Sequence, residues 1–204
     1  MPNSFWQYDL VDLGEPVCLG ERVKKGTYRS TIDTSIPYSQ ISGALFARFN
    51  QPYHAVGVLH QSQTEHFSFA LQDVARGVAK LTLDVSALSK IRASVYVWND
   101  PSIPDELPIH FDVQIGALRS KGFGLCHFDN KRVVSAADQA IVPGELRTRI
   151  PETQLARFDI DPLSPLYGYL FEPDADRLGG RYVRALIEKS LVRGPKFLVK
   201  ERSL

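Results

Sequence analysis

A short glycine-containing segment between two strand-like segments constrains the fold of this chain more than any other feature. RSKGFG (119–124) follows the strand-like PIHFDVQI (108–115) and precedes the strand-like LCHFD (125–129). Glycine adopts positive φ without strain and lacks the Cβ that would keep a ligand away from the backbone. Successive N–H groups in such a turn form an anion-binding concavity, to which Arg119 and Lys121 add charge. The segment predicts a strand–loop–strand unit that approaches a phosphate chain, although a plain hairpin turn with solvated cations has the same pattern.

Composition limits the class of protein. A chain of 204 residues, 44% hydrophobic and 23% charged, is typical of a globular protein with one large or two small domains. The net charge is +1, so a nucleic-acid site must be a local patch. The apolar runs are shorter than a membrane span, and the N-terminus lacks the pattern of a secretory signal. We expect a cytoplasmic protein that does not associate with membranes.

The sequence shows no pattern that requires a metal or a small-molecule cofactor. Cys18 and Cys126 stand alone, which favours free thiols over zinc ligands or a disulfide framework. His60 and His66 lack a third ligand at a convincing spacing. The chain contains no Walker A or GxSxG motif, and residues 122–124 lack the third glycine of a dinucleotide-binding fingerprint.

The first two thirds of the chain predict strands around one helix. The helix is expected over 39–50, with Ser39 as its N-cap and with Ile41 and Leu45 on its buried face, and Gly43 suggests that another backbone approaches it closely. The other predictions are a strand over 5–19 that breaks near 14–16, a loop over 20–35, a hairpin of strands 53–60 and 66–72, a short helix leading into a strand over 73–83, and a strand over 92–99.

The last third has a different character. Residues 130–175 contain five prolines and little periodicity, a short helix is predicted over 181–191, and a last strand is predicted over 196–201. The whole order predicts an α+β fold in which helices cover one face of an antiparallel sheet. We assign 1–130 to the core and 131–204 to an irregular, proline-rich C-terminal extension packed on that core.

Two motifs, in this order, resemble the RAMP superfamily, the ferredoxin-like (RRM-like) subunits of CRISPR effector complexes. IPYSQISGALFAR (36–48) is similar to the family's entry to its first helix, commonly IPGSSLKGALR, with Tyr38 in place of the usual glycine. GALRSKGFG (116–124) is similar to the family's glycine-rich loop, which often ends in KSRGFG or RSSGFG. The resemblance covers residues 5–130 and implies a ferredoxin-like RNA-binding core. It further implies antiviral defence, with guide (CRISPR) RNA and other effector subunits as partners.

The resemblance also implies a set of RNA-binding residues. RNA-guided effectors hold the guide by its sugar-phosphate backbone, which needs cations and backbone donors more than base-reading side chains. A helix N-terminus provides such donors, and we expect Tyr28 or Phe123 to stack on a splayed base. The predicted RNA-binding residues are Lys24, Lys25, Tyr28, Arg29, Ser39, Arg48, Arg119, Ser120, Lys121, Gly122, Phe123 and Gly124.

Three roles within the family remain open. A filament-forming subunit would cut target RNA with an acidic residue of its first loop, here Asp33, which is equally well an ordinary turn residue. A repeat-cleaving endoribonuclease would use a histidine base, for which His54 near Tyr28 is the candidate. A capping subunit grips the 5′ handle of the guide and has no such chemistry. We favour this third role because a long C-terminal part follows the glycine loop, which in the repeat-cleaving enzymes lies close to the C-terminus.

Two further interpretations of the sequence remain. Outside the family, a small α+β hydrolase with Asp33 or His54 as its acid–base group fits the same fold class. Near the C-terminus, Arg177, Arg181 and Arg184 would share one side of the predicted helix. That side is either a solvated face, a second phosphate-contacting surface or a seat for a neighbouring subunit.

Overall fold

The computed structural model describes residues 3–20, 28–73, 78–103, 106–135, 140–173 and 180–201. These residues form one α-helix, thirteen strands and two 3-10 segments, Arg119–Lys121 and Glu152–Phe158. The α+β class is therefore confirmed. In chain order the elements are β1 (Ser4–Asp12), β2 (Tyr28–Arg29), α1 (Tyr38–Phe49), β3 (Ala55–Asp73), β4 (Val78–Trp98), β5 (Phe111–Gln114), β6 (Leu125–Ser135), β7 (Ile141–Leu146), β8 (Ile150–Pro151), β9 (Asp161–Ser164), β10 (Tyr167–Pro173), β11 (Gly180–Leu186), β12 (Leu191–Pro195) and β13 (Val199–Glu201).

A six-stranded sheet forms the centre of the molecule. Its main strands lie in the order β3-β4-β1-β6-β5, and every neighbouring pair in this series is antiparallel. The short strand β2 adds a parallel pairing to β4 at Asp84 and Val85. Strand β1 thus lies in the middle of the sheet, with β4 on one side and β6 on the other.

Both faces of this sheet carry a hydrophobic core, because successive side chains of a strand point to opposite faces. Tyr8 and Leu10 of β1 pack with Ile41 and Leu45 of α1 on one face. Phe5 of β1 packs on the other face against the C-terminal strands. The predicted strand over 92–99 is confirmed and shows the same alternation, with Val95 and Val97 toward α1 and with Tyr96 and Trp98 on the opposite side.

The described residues between 141 and 201 form strands and a 3-10 segment, so the prediction of an irregular C-terminal extension is wrong. They build two small antiparallel sheets, in the orders β10-β11-β8 and β13-β7-β12-β9. Phe158 stacks on Phe5 with ring centroids 5.8 Å apart, and Phe197 stacks on Tyr96 at 4.3 Å. Prolines that suggested irregularity lie in short or edge strands, such as Pro151 in β8 and Pro162 in β9, where a missing N–H is tolerated.

The helix predicted over 181–191 is wrong, because this segment contains strand β11 and the start of β12. Strand β11 pairs with β10 along its whole length, from Gly180 to Leu186. In a strand, residues three apart lie on opposite faces, so Arg181 and Arg184 do not share a side. Arg177 lies outside the described residues.

The hairpin predicted over 53–72 is also wrong. Strand β3 continues without a turn through the polar residues 61–65 and pairs with β4. Of the short helix and the strand predicted over 73–83, the strand is confirmed by β4, which begins at Val78, while Asp73 still belongs to β3 and residues 74–77 lie outside the described residues. Glu65 accepts a hydrogen bond from Ser89 of β4, so side chains that suggested a turn make cross-strand contacts instead. The register of the β3–β4 pairing shifts between Leu59 and Gln63, where the polar residues begin, and the pairing continues beyond them.

Helix α1 has the predicted buried face but a different start. Pro37, with extended backbone, precedes its first turn and no side chain caps it, so the prediction of Ser39 as N-cap is wrong. The expected close approach at Gly43 is also wrong, since an added Cβ there would meet nothing within 4 Å. The close approach is at Gly57 of β3, where a Cβ would lie 2.8 Å from the Ile36 Cβ.

The contact between the C-terminal strands and the central sheet predicts a large effect of Phe158→Ala on stability. Phe158 is fully buried against Phe5 and Tyr38, so its truncation is expected to lower the free energy of unfolding by about 3–5 kcal/mol. Equilibrium urea unfolding followed by circular dichroism measures this change. Tyr169→Ala, at a side chain of β10 that is 61% exposed, is the control and should change stability by less than about 0.5 kcal/mol. Equal effects of the two variants would contradict the packing described.

Candidate nucleic-acid interface

The predicted strand–loop–strand unit is confirmed: β5 and β6 pair, and residues 115–124 connect them. The loop is fixed to the segment that follows β1. The Gly124 N–H donates to the Pro16 carbonyl at 3.0 Å, and the Ala117 N–H donates to the Cys18 carbonyl at 2.9 Å. The loop is therefore a fixed part of the sheet's edge region and not a free hairpin tip.

Two glycines of this loop are required by close packing of the backbone. At Gly116, with φ of 86°, an added Cβ would lie 2.4 Å from the Cys18 carbonyl oxygen. At Gly124, with φ of 95°, it would lie 2.1 Å from the Ile115 carbonyl oxygen. At Gly122 the φ is 77°, but an added Cβ would meet nothing within 4 Å. Only this middle glycine leaves open space beside the backbone.

The buried side chain of Phe123 fixes the glycine loop against strand β3. Its side chain is only 3% exposed, and its ring packs edge-on against Phe67 at 5.3 Å and Phe69 at 5.6 Å, both in β3. The base-stacking role predicted for this ring is therefore wrong, because the ring has no face open to a ligand. Its burial instead anchors the exposed part of the loop.

Arg119, Ser120 and Lys121 form the exposed part, a single 3-10 turn. The Lys121 N–H donates to the Leu118 carbonyl at 2.8 Å, and the Gly122 N–H donates to the Arg119 carbonyl at 3.3 Å. Together with the bond of Gly124 to Pro16, three backbone donors of the predicted anion cradle already have partners inside the protein. The charge that this turn offers to a ligand comes from the Arg119 and Lys121 side chains.

Cys18, in the segment after β1, contacts the glycine loop. Burial raises the pKa of the Cys18 thiol, and a hydrogen bond with the Gly20 backbone and the positive charge of Arg29 oppose this rise. The Cys18 carbonyl is the group that accepts the Ala117 N–H. Tyr28, beside Arg29 in β2, is 49% exposed and remains available for stacking on a base. Lys24 and Lys25 lie outside the described residues.

Ser39 and Arg48, the two predicted RNA-binding residues on α1, do not lie on the glycine loop or on β2. Arg48 is exposed in the last turn, with its guanidinium carbon 5.9 Å from the Phe49 ring centroid. Ser39 lies in the first turn, about 14 Å away along the axis. The Tyr38 N–H at this end donates to the Arg149 carbonyl at 3.1 Å. The helix N-terminus is thus covered by the C-terminal part of the chain, which removes a donor expected to bind phosphate.

Asp33 is exposed in the segment before α1. Its neighbours Thr34 and Ser35 both donate to the Glu188 carboxylate, which also pairs with Arg149 at 2.8 Å. These contacts fix the segment to the C-terminal part while the Asp33 carboxylate faces solvent. Its catalytic role stays a prediction.

His54 pairs with Tyr38 and not with Tyr28 as predicted. The Tyr38 hydroxyl and the His54 Nδ1 are 2.5 Å apart, and the His54 ring lies 5.8 Å from the Trp98 ring. Burial, and then the nearby positive charge of Arg157, lower the pKa of His54 to about 4. Burial raises the pKa of Tyr38 to about 12. The pair is therefore neutral at pH 7, and its two groups share a hydrogen bond.

These properties weaken the case for His54 as a general base. An effective base has a pKa near the working pH, and this imidazole has a much lower one. His54 also lies far from the glycine loop. It contacts Trp98, which pairs with Phe5 at the start of β1, whereas the glycine loop packs beyond the end of β1. The nine residues of β1 separate the two regions by about 27 Å.

Sequence reasoning missed the residues that support the glycine loop and the strand with Tyr28. Thr31 accepts from the Leu19 N–H at 3.0 Å and its own N–H donates to Ser86, which fixes the strand that carries Tyr28. Phe67 and Phe69 alternate with polar residues in the sequence, which was the available signal for a continuous strand beneath the loop.

Comparisons with known proteins find similarity to solved structures. Neither a protein-family model nor a curated protein matches the sequence. Among solved structures, the chain is similar to one chain of the cryo-EM structure of Type III-B Cmr-beta bound to cognate target RNA and AMPPnP. The TM-score is 0.59 at 11% sequence identity, and the match covers 92% of this chain and 86% of that chain. At this identity the similarity shows a shared fold.

Two searches of the described residues were negative. They contain no helix with the length and apolar character needed to cross a membrane. They also contain no group of three or more His, Cys, Asp or Glu side chains placed to hold a metal ion.

The different surroundings of two loop glycines predict different costs of substitution. Gly122→Ala is expected to cost about 1–2 kcal/mol, because it places a Cβ in the left-handed region without a collision. Gly124→Ala is expected to cost about 4 kcal/mol or more, because its Cβ meets the Ile115 carbonyl. Thermal unfolding and equilibrium urea unfolding of the two variants test the order. A reversed order would show that the loop is held differently.

The surroundings of His54 predict how its pKa responds to mutation. Arg157→Gln is expected to raise this pKa above about 4 while leaving it below the ordinary 6.5, because burial remains. An NMR titration of the His54 ring protons measures it, with Arg132→Gln, at a side chain that pairs with Asp9, as the control. Since the folded pKa lies below the ordinary one, stability should fall as the pH drops from 6.5 toward 4. An unchanged His54 pKa in Arg157→Gln would contradict the assignment.

Proposed function

We propose that this chain is a RAMP-superfamily subunit of a CRISPR effector complex, of the capping type that grips the 5′ handle of the guide RNA. Residues 1–130 provide a ferredoxin-like RNA-binding core, and residues 131–204 pack on it. The guide is held by its sugar-phosphate backbone at the exposed turn of the glycine loop, beside the strand that carries Tyr28 and Arg29.

The strand order supports the ferredoxin-like interpretation. A ferredoxin-like unit has the chain order β-α-β-β-α-β in one antiparallel sheet. Here β1, α1, β3, β4 and β6 follow one another in the chain, and the sheet order of the strands is β3-β4-β1-β6. The segment between β4 and β6 contains β5 and the 3-10 turn at the place of the second helix. The similarity to a chain of an RNA-bound assembly supports the same interpretation.

The exposed cationic turn, anchored on all sides, is the observation that carries the proposal. Arg119 and Lys121 face solvent on a turn whose ends are fixed by Gly116 and Gly124 and whose base is fixed by Phe123. Cations held on a rigid support bind phosphates with a small loss of conformational entropy. Phosphate contacts carry no sequence information, which suits a protein that must leave the guide bases free for pairing.

The capping role is favoured over the two alternatives. The long C-terminal part of the chain forms two small sheets that pack on the core. A subunit that ends a filament needs such additional surface to contact its protein neighbours. The low pKa of His54 and its bond to Tyr38 argue against repeat cleavage by that residue. Asp33 faces solvent, and target cleavage through it would require partners from outside this chain.

Titration with labelled RNA tests the proposal. The purified chain is titrated with a CRISPR repeat-derived RNA and with a scrambled RNA at several salt concentrations. We expect tighter binding of the repeat-derived RNA and a salt dependence that falls in the variant Arg119→Ala/Lys121→Ala. For single strands the slope of log K against log salt changes by about 0.7 per phosphate contact, so loss of two contacts changes it by about 1.4.

A matched variant controls for charge alone. Arg193→Ala/Lys200→Ala removes the same two charges from exposed positions of β12 and β13 and should leave the affinity and the salt slope unchanged. If the loop variant binds RNA as tightly as the unmodified chain, with the same slope, the glycine loop is not the RNA site.

A further inference from the structure

Strand β10 is an edge strand that lacks the usual protection against pairing with another strand. Among the described residues, β10 pairs with β11 only, so its other edge has no strand partner. Natural sheet edges are protected by short length, by Lys or Pro, or by irregular register. Residues 167–172, YGYLFE, contain no Lys, Arg or Pro, and the pairing of β10 with β11 continues along the strand without a register shift.

The other edge strands of the three sheets have such protection. Five of them, β2, β5, β8, β9 and β13, contain only two to four residues each. The long edge strand β3 carries the polar residues 61–65 and shifts its register where they begin. Within the described part of the chain, β10, with seven residues, is therefore the edge best suited to accept another strand.

One face of β10 carries three aromatic side chains at alternate positions. Tyr167, Tyr169 and Phe171 share this face, while Leu170 points into the core on the opposite face. The exposed fractions are 42% for Tyr167 and 61% for Tyr169, and Phe171 is half-buried. The aromatic pattern is therefore symmetric about Tyr169, which has the most exposed side chain of the three.

Side chains of β11 support the two outer rings of this pattern. The guanidinium carbon of Arg184 lies 3.6 Å from the Tyr167 ring centroid. The Tyr182 and Phe171 rings pack edge-on with centroids 5.5 Å apart. Rings that are already held in place lose little conformational entropy when they enter an interface.

We propose that β10 is a self-association site, at which a second copy of this chain adds its own β10 in the antiparallel direction. The two-fold axis passes beside Tyr169, so this residue lies opposite Tyr169 of the second copy. At each end of the pairing, Tyr167 of one copy lies opposite Phe171 of the other. The two β10-β11-β8 sheets join into one continuous sheet, and this inference does not depend on the proposed function.

A second copy fits this edge because the strand is complementary to itself. In the proposed register every cross-strand pair on the exposed face is aromatic, and such pairs stabilise antiparallel sheets. Glu172, the only charged residue of β10, lies opposite Leu166 and not opposite another carboxylate. The two Arg184 side chains are three strand spacings apart, about 14 Å, which exceeds the screening length of about 8 Å at physiological salt.

The proposed interface is small and lies away from the glycine loop. It involves one strand of each copy, less than the roughly 800 Å² per partner of a standard stable complex, so a reversible, weak dimer is expected. Leu170 of β10 shares a core with Tyr38 at the start of α1, whereas the glycine loop packs beyond the end of β1. RNA at the loop and a second copy at β10 therefore occupy separate surfaces.

Sedimentation velocity of the full-length chain, from about 1 to about 100 µM, tests the proposal in the range expected for a small interface. We expect a reversible monomer–dimer equilibrium. Tyr169→Lys and Tyr169→Glu should each raise the dissociation constant about tenfold or more, because like charges then lie opposite each other. An equimolar mixture of the two variants should recover the dimer as a 1:1 species, because Lys then lies opposite Glu.

Two controls accompany this charge exchange. Val133→Lys, at a side chain of β6 that is 69% exposed, should dimerise as the unmodified chain does. Amide hydrogen exchange should slow for residues 166–172 as the concentration of the unmodified chain rises, while exchange of residues 119–124 should not change. Circular dichroism of both Tyr169 variants should match that of the unmodified chain, since this side chain is exposed.

The other outcomes each contradict the proposal. A chain that is monomeric at every concentration, or a dimer that Tyr169→Lys and Tyr169→Glu leave intact, shows that β10 is not the site. A mixture of the two variants that stays monomeric shows that Tyr169 does not lie opposite itself. If Tyr169→Ala weakens RNA binding of a monomeric chain, the aromatic face binds RNA and not a second copy. The RNA titration of Arg119→Ala/Lys121→Ala tests the guide-holding proposal separately.

Discussion

Strand β1 is buried on both faces, and the rest of the molecule is arranged around that constraint. Tyr8 and Leu10 pack toward α1, while Phe5 packs toward the C-terminal strands, so one strand belongs to two cores. A buried strand must pair on both edges, and β4 and β6 meet that need. Because the C-terminal sheets cover the Phe5 end, the exposed part of this face is at the other end of β1, near Val11 and the glycine loop.

This division also separates two electrostatic environments. At the covered end, His54 is kept neutral by burial and by the Arg157 charge, and its Nδ1 is bonded to Tyr38. At the open end, Arg119 and Lys121 are exposed on their turn. The cations of the proposed RNA-binding surface therefore lie at the open end and not beside His54.

Local sequence patterns were sufficient to predict those elements whose structure depends mainly on their own residues. The pair β5 and β6, the body of α1 and the strand over 92–99 follow from alternation, helical periodicity and breaker residues. Sequence reasoning failed where a distant partner decides the structure. The polar residues 61–65 stay in β3 because β4 pairs with them, and Tyr182 lies in a strand because β10 is its neighbour. The burial of Phe123 depends on β3, so its role could not be predicted without that strand.

The glycines of the loop therefore have a different meaning from the one their sequence suggests. Gly116 and Gly124 are needed because carbonyl groups of this chain lie where a Cβ would be, and no ligand is involved in that requirement. The motif is thus a signature of how the loop packs against the segment after β1. The side chains of residues 119–121 face solvent, so the packing of the loop does not depend on which residues stand there. In the proposed function, RNA therefore contacts the charged side chains between the glycines and not the glycines themselves.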